Sequence, residues 1–250
     1  MKPPSCDLIL SSGFLCFSSH AGAAAALEGR VKPEAYVGTS SGAIAAAMLA
    51  AGLSSAEIRR ELGAQRPVKL FRPSVRPWSG PVGTRALVRR LRDILPATFA
   101  ELDSPLAVGV YDVDDRTRSP LLLTNGDLPL AVAASCAVPF IFQPVQIGGR
   151  RFADGGRVDR TCVEAWRRWR PGRKAVVELV SKRDDGEYGP RDGFDGESSF
   201  DLLELRTARA NASFFSLGDF DGEVERARAA VGAQLDAVQR GPQWVEVEVR

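Results

Sequence analysis

The chain has 250 residues, 44% hydrophobic and 26% charged, the balance of a globular protein long enough to bury a core. Its formal net charge of +2 supplies no general attraction to nucleic acid, so a nucleic-acid partner is not expected. Four cysteines without a C-x-x-C pair, a single histidine (His20) and no apolar run of about twenty residues predict no metal site, no cofactor and no membrane span.

The first element is CDLILS (6–11), a short apolar strand. Lys2, the run LILSSGFLCF and Ala21-Gly22-Ala23 have the outline of a signal peptide, but Pro3, Pro4 and Asp7 interrupt it. The reading is therefore a cytoplasmic chain whose cysteines are free, buried thiols. HAGAAAALEG (20–29) reads as a helix ended by Gly29, 34–38 as a strand, and 41–51 as an alanine-rich helix ended by Gly52. Ser54 or Ser55 caps a further helix, AEIRREL. Strand and helix alternating in this way predict a parallel sheet covered by helices.

Residues 66–82 break the rhythm with Pro67, Pro73, Pro77 and Pro81 among arginines, and with exposed-looking Leu70, Phe71 and Trp78. The region 66–96 is expected to be a long functional loop or lid. TRALVRRLRDIL (84–95) carries a helical apolar stripe. Residues 105–113 and 119–124 read as strands joined by a polar turn, and LPLAVAASCA as a helix stopped before Pro139. FIFQPVQIGG and RRFADGG form a further strand and turn, and 174–181 is another strand. GEYGPRDGFDGE (186–197) reads as a polar loop. SFDLLELRTARANASFF (199–215) and GEVERARAAVGAQLDAV (222–238) read as helices, and WVEVEV (244–249) as an alternating strand near an edge. No repeat or Ser/Gly linker divides the chain, so one domain over 1–250 is expected.

Charge is unevenly spread. Residues 59–92 hold ten Lys/Arg against one acid (Glu61), and residues 184–225 hold twelve acids against three arginines. Either these are solvated faces that neutralise each other, or the basic stretch meets an anionic membrane.

GTSSG (38–42) is a G-x-S-x-G match lying between an apolar strand and a helix. That context makes Ser40 a candidate nucleophile on a strained, exposed turn. Gly38 and Gly42 remove side chains where the turn is tight, and Thr39 and Ser41 flank the hydroxyl. The helix from Ser41 aims its N–H groups at a developing oxyanion. The second motif is ASCAVPFIFQPVQIGGRRFADGG (134–156), whose Asp154-Gly155-Gly156 puts a carboxylate on a turn after a strand. His20, at a helix start, reads as structural.

These motifs, with strand-loop-HAGAAAAL before them and TFAELDSPLAVGVYDV between them, resemble the patatin-like phospholipases over most of the chain. The resemblance implies a three-layer α/β/α sandwich with a mostly parallel central sheet. It also implies a serine–aspartate dyad without histidine: Ser40 as nucleophile, Asp154 as general base, Gly155 and Gly156 completing the motif. The implied substrate is a lipid or other acyl ester. The family's glycine run after the first strand is altered: the positions read Ser12, Gly13, Phe14, Leu15, Cys16, Phe17. Gly13 and Phe14 are the candidate oxyanion donors, and Cys16 stands where the family has a basic residue. The alternatives kept open are a catalytically weakened lipid- or partner-binding relative and an acyltransferase.

Overall fold

The structure, a computed structural model, describes residues 3–64, 66–70, 72–73, 82–181 and 201–240. Among them, eight strands form one sheet in the order β10-β9-β1-β2-β5-β8-β7, with β6 also paired to β5. The elements, in chain order, are β1 (Ser5–Leu10), α1 (Phe17–Leu27), β2 (Lys32–Thr39), α2 (Ser41–Ala50), α3 (Ser55–Gly63), β3 (Arg72–Pro73), β4 (Val82–Gly83) and α4 (Arg85–Arg92). Then follow β5 (Leu106–Asp112), β6 (Pro120–Leu123), α5 (Leu128–Ser135), β7 (Val145–Ile147), β8 (Arg150–Asp154), α6 (Val163–Trp169), β9 (Ala175–Val180), β10 (Leu202–Thr207) and α7 (Phe220–Arg240). Strands β10, β9, β1, β2 and β5 pair in parallel, whereas β6, β7 and β8 pair antiparallel.

The central strands are apolar on both faces, as a parallel sheet between helix layers requires. Alternate residues separate cleanly. Leu8, Leu10, Tyr36, Leu106, Val108 and Val176 face the core shared with α1, α2, α5 and α7. Ile9, Val37, Ala107 and Val177 face the opposite side, which α6 covers with Val163, Ala165 and Trp166. Asp7 begins that second face. Its buried carboxylate accepts from Trp166 Nε1 at 2.9 Å and Arg170 Nε at 3.0 Å, tying α6 to β1. The result is the three-layer sandwich expected from the resemblance.

One feature of the sheet positions everything else. On the edge of β5 opposite β6, β2 occupies Leu106 to Gly109, ending with Thr39 opposite Gly109. The next residue, Val110, is taken by Asp154, the last residue of β8. Thus β2 and β8 share one edge of β5 and meet end to end.

Several expectations need correction. Of the segment expected as a helix over 199–215, the described residues 201–215 are not helical. Leu202–Thr207 instead pairs with β9 along its whole length, and the segment from Ala208 to Gly218 is irregular. Leu202 and Leu203 pack on opposite faces of the sheet, so the leucine-rich run reads with a period of two once the free edge of β9 is available. Helix α1 starts at Phe17 rather than His20, which places His20 inside the helix. Leu70 is half-buried against the core rather than exposed. The region expected as a loop contains a helical turn at Pro67–Lys69 and a short β3–β4 ladder. Phe71, Trp78, the polar loop 186–197 and the strand 244–249 lie outside the described residues. No helix among the described residues is long and apolar enough to cross a membrane.

Gly42 sets how closely α2 approaches β1. A Cβ there would lie 2.4 Å from the Leu10 carbonyl oxygen and 2.5 Å from that of Ser11. Alanine is the better helix former by about 1 kcal/mol, yet overpacking against backbone costs about 1–3 kcal/mol. Gly42→Ala is therefore expected to lower the urea midpoint; a raised midpoint would contradict this packing.

Candidate active site

The site grows from the junction of β2 and α2. Ser40 has φ 56° and ψ −124°, a left-sided conformation costly for a residue with a side chain. Surrounding bonds hold it there. Its N–H donates to Ser135 Oγ at 2.8 Å, and Ser135 donates in turn to the Gly109 carbonyl at 2.6 Å. Its carbonyl accepts from the Ala43 N–H at 2.9 Å and from the Cys136 thiol at 3.4 Å. Ser135 was not foreseen as a functional residue, although ASCAVP belongs to the second motif.

Asp154 arrives from the end of β8. Its N–H donates to the Ala137 carbonyl at 3.1 Å, which fixes the strand end against the turn that follows α5. Its carboxylate accepts from the Gly156 N–H at 2.8 Å and has the Ser40 hydroxyl beside it. Burial pushes its pKa up to about 6, against the lowering effect of those two neighbours. Both residues are almost covered, Ser40 at 6% and Asp154 at 5% exposure. Gly155 lets the turn press onto β5, because a Cβ there would sit 2.6 Å from the backbone of Gly109. Gly156 lies equally close to Ser12.

Gly13 and Phe14, in the loop after β1, flank the elbow. The Gly13 carbonyl accepts from the Ser41 hydroxyl and from the Cys16 N–H. Among the described residues no acceptor bonds the N–H groups of Gly13, Phe14 or Ser41. The Ser41 N–H follows directly after the elbow residue, so it joins Gly13 and Phe14 as a candidate donor; the G-x-S-x-G context carried that signal. Above Ser40 lies an apolar cleft lined by Phe14, Phe17, Ile44, Leu70, Leu87 and Phe142.

His20 does not reach Ser40. Its Nδ1 is 2.9 Å from Glu178 Oε2 and its Nε2 is 2.9 Å from Ser41 Oγ, which occupies both ring nitrogens. Cys16, expected from the resemblance to replace a basic residue, is fully buried. Burial raises its thiol to about 11, so it stays neutral near pH 7. Among the described residues no three His, Cys, Asp or Glu side chains gather as a metal cluster.

A model of the patatin-like phospholipase family matches residues 8–165, which include every element of this site, and the chain belongs to that family. It is similar in fold to VipD from Legionella pneumophila, with a TM-score of 0.56 and 14% identity over 95% of this chain and 67% of VipD. It is also similar to the type III effector ExoU, with a TM-score of 0.53 and 17% identity over 96% of this chain. ExoU has been solved with SpcU from the type III secretion system of Pseudomonas aeruginosa. The chain spans about half of ExoU's length.

The raised Asp154 pKa has a stability consequence. The folded state holds this proton more tightly than the unfolded chain does. Its contribution is thus complete below about pH 4 and is lost as pH rises through about 6. At 1.36 kcal/mol per pKa unit, ionisation costs about 3 kcal/mol by pH 7. Asp154→Asn should therefore be more stable than wild type at pH 7, by about 1–3 kcal/mol in urea unfolding, with the advantage shrinking towards pH 4. A destabilised variant at pH 7 would contradict the assigned burial.

Proposed function

We propose that the protein is a lipid acyl ester hydrolase working through an acyl-enzyme on Ser40. The observation that carries this reading is the Ser40 hydroxyl set beside the buried Asp154 carboxylate, on a strained elbow at a helix N-terminus. Ordinary aspartate, with a pKa of about 3.9, is a weak base. Burial that raises Asp154 to about 6 keeps it ionised at pH 7 while making it more basic.

The steps balance as follows. Asp154 takes the Ser40 proton as Oγ attacks the ester carbonyl, and the carbonyl oxygen becomes an oxyanion facing the N–H groups of Ser41, Gly13 and Phe14. The tetrahedral intermediate collapses, the C–O bond to the alcohol breaks, and protonated Asp154 returns its proton to the leaving oxygen. Water then attacks the acyl-enzyme with Asp154 again as base, releasing the acid and restoring Ser40. The apolar cleft suits the acyl chain. The cleft is small, about 30 Å³, so side chains such as Leu70 and Phe142 must part to admit a long chain. With a neutral thiol at Cys16, this loop supplies no cation for a lipid phosphate, so neutral acyl esters fit as well as phospholipids.

Ser40→Ala and Asp154→Asn are each expected to abolish hydrolysis of a short p-nitrophenyl ester while remaining folded by circular dichroism. For wild type, kcat/KM should rise with pH about a midpoint near 6, because the base must be ionised. Turnover by either variant at the wild-type level would remove the assignment. The altered glycine run supports a second reading, a relative that binds lipid or a partner without turnover. Fluorophosphonate labelling separates the two, since a working nucleophile labels at Ser40. An acyltransferase would instead form a new ester when an acceptor alcohol is added.

Contact with a lipid surface is supported by one further observation. Among the described residues, the exposed large hydrophobic side chains are Phe140 (90%), Phe215 (74%) and Val68 (40%). All lie on segments bordering the cleft. Phe140 lies between the lining residues Val138 and Phe142; the Val68 N–H bonds the Phe214 carbonyl, and Phe214 packs on Phe14. Arg66 and Lys69 flank Val68. Phe140→Ser with Phe215→Ser should weaken sedimentation with anionic phosphatidylglycerol vesicles several-fold and leave hydrolysis of a soluble ester unchanged. Undiminished vesicle binding would show that the rim is not the contact.

A further inference from the structure

Behind the elbow runs a second chain of buried polar groups that the proposed chemistry leaves unused. Thr207 Oγ1 donates to Glu178 Oε1 at 2.6 Å. Glu178 Oε2 lies 2.9 Å from His20 Nδ1, and His20 Nε2 lies 2.9 Å from Ser41 Oγ. Ser41 Oγ completes the chain by donating to the Gly13 carbonyl. Thr207, Glu178 and His20 are fully buried and Ser41 is 4% exposed. The chain links β10, β9, α1 and α2 to one peptide group of the loop after β1.

A buried ionisable pair is weak as a source of stability, because apolar side chains of the same volume serve as well. What such a pair supplies is direction. Ser41 has one hydroxyl proton, and the Gly13 carbonyl is purely an acceptor, so that proton goes to Gly13. His20 Nε2 must then carry hydrogen and donate to Ser41. The other ring nitrogen, Nδ1, shares a hydrogen with Glu178 Oε2, and Thr207 donates to Glu178 Oε1. Each group in the chain has its orientation dictated by the next.

The end point is a peptide plane. The Gly13 carbonyl and the Phe14 N–H belong to the same trans peptide and point in opposite directions. Fixing the carbonyl on Ser41 fixes the Phe14 N–H, which has no bonded acceptor among the described residues, in a residue that lines the cleft with Ser40. The loop needs such a hold. It lacks the glycine run, and Leu15 sits at φ 58°, a conformation that costs a residue with a side chain.

We infer that His20, backed by Glu178 and Thr207, is a positioning residue that locks Gly13 through Ser41 and aims the Phe14 N–H at the oxyanion. This rests on the hydrolase reading above and adds to it a set of residues outside the dyad.

The test uses the full chain, a soluble p-nitrophenyl ester, and active sites counted by fluorophosphonate titration. Ser41→Ala and His20→Ala should each lower kcat about ten- to a hundredfold, the scale expected when a reacting group is slightly misplaced, with KM within about twofold. His20→Gln, whose amide can donate to Ser41, should recover part of the loss. Ser18→Ala, which removes a 2.8 Å bond from α1 to Glu223, should lower Tm without changing kcat. A merely structural role predicts that His20→Ala behaves like Ser18→Ala, and that result would overturn the inference. Hydrogen exchange supplies a second readout. Residues 13–16 should exchange faster in Ser41→Ala than in wild type, and unchanged exchange would also overturn it. Should the wild type turn over no ester, the hydrolase reading fails by itself, and exchange alone decides whether the anchor exists.

Discussion

The site depends on the sharing of one edge of β5. Strand β2 runs along it in parallel and leaves at Thr39, while β8 approaches antiparallel and stops at Asp154. The two strand ends face adjacent residues, Gly109 and Val110, so the residues at their tips meet without any long loop to place them. The glycines follow from that crowding. At Gly109 a Cβ would strike Thr39 Oγ1 at 2.5 Å, and at Gly155 it would strike Gly109 itself. Ser135 closes the junction by bonding both the Ser40 N–H and the Gly109 carbonyl. The elbow, the carboxylate and the strand that both abut, β5, are thus one packed unit.

Such a unit stores unfavourable energy. Ser40 is held at positive φ, and Asp154 is buried with the Gly156 N–H and the Ser40 hydroxyl beside it, insufficient to bring its pKa back to the usual carboxylate range. The rest of the fold supplies the compensation. The sheet buries both faces, Asp7 ties α6 to β1, and α1 packs against α7 across the other layer. A rigid frame around a destabilised centre is the arrangement expected where reactivity, rather than stability, has set the local structure.

Much of this was legible from local pattern. GTSSG between an apolar strand and an alanine-rich helix points to Ser40 at an elbow, and ADGG after a strand points to a carboxylate on a turn. Both patterns are local, and so are the forces behind them. The β10 segment was not legible, because LLELRT favours a helix in isolation and becomes a strand only when the edge of β9 is present. The partnership of His20 with Glu178 was hidden for a related reason: the two are 158 residues apart, and only the pairing of β1 with β9 brings them together. Leu70 looked exposed beside prolines and arginines, yet the cleft wall needed an apolar side chain there. The loop after β1 was half legible: its departures from the glycine run that the resemblance implies could be read, but not the bond from Ser41 that holds it.

The central claim is that Ser40 becomes covalently acylated. The most direct measurement is rapid-quench intact mass spectrometry of the wild-type protein mixed with a medium-chain p-nitrophenyl ester, followed by peptide mapping. The account predicts a transient gain of one acyl group on the peptide containing Ser40, appearing with the burst of p-nitrophenol. Turnover with no adduct, or with the acyl group on another residue, would contradict it.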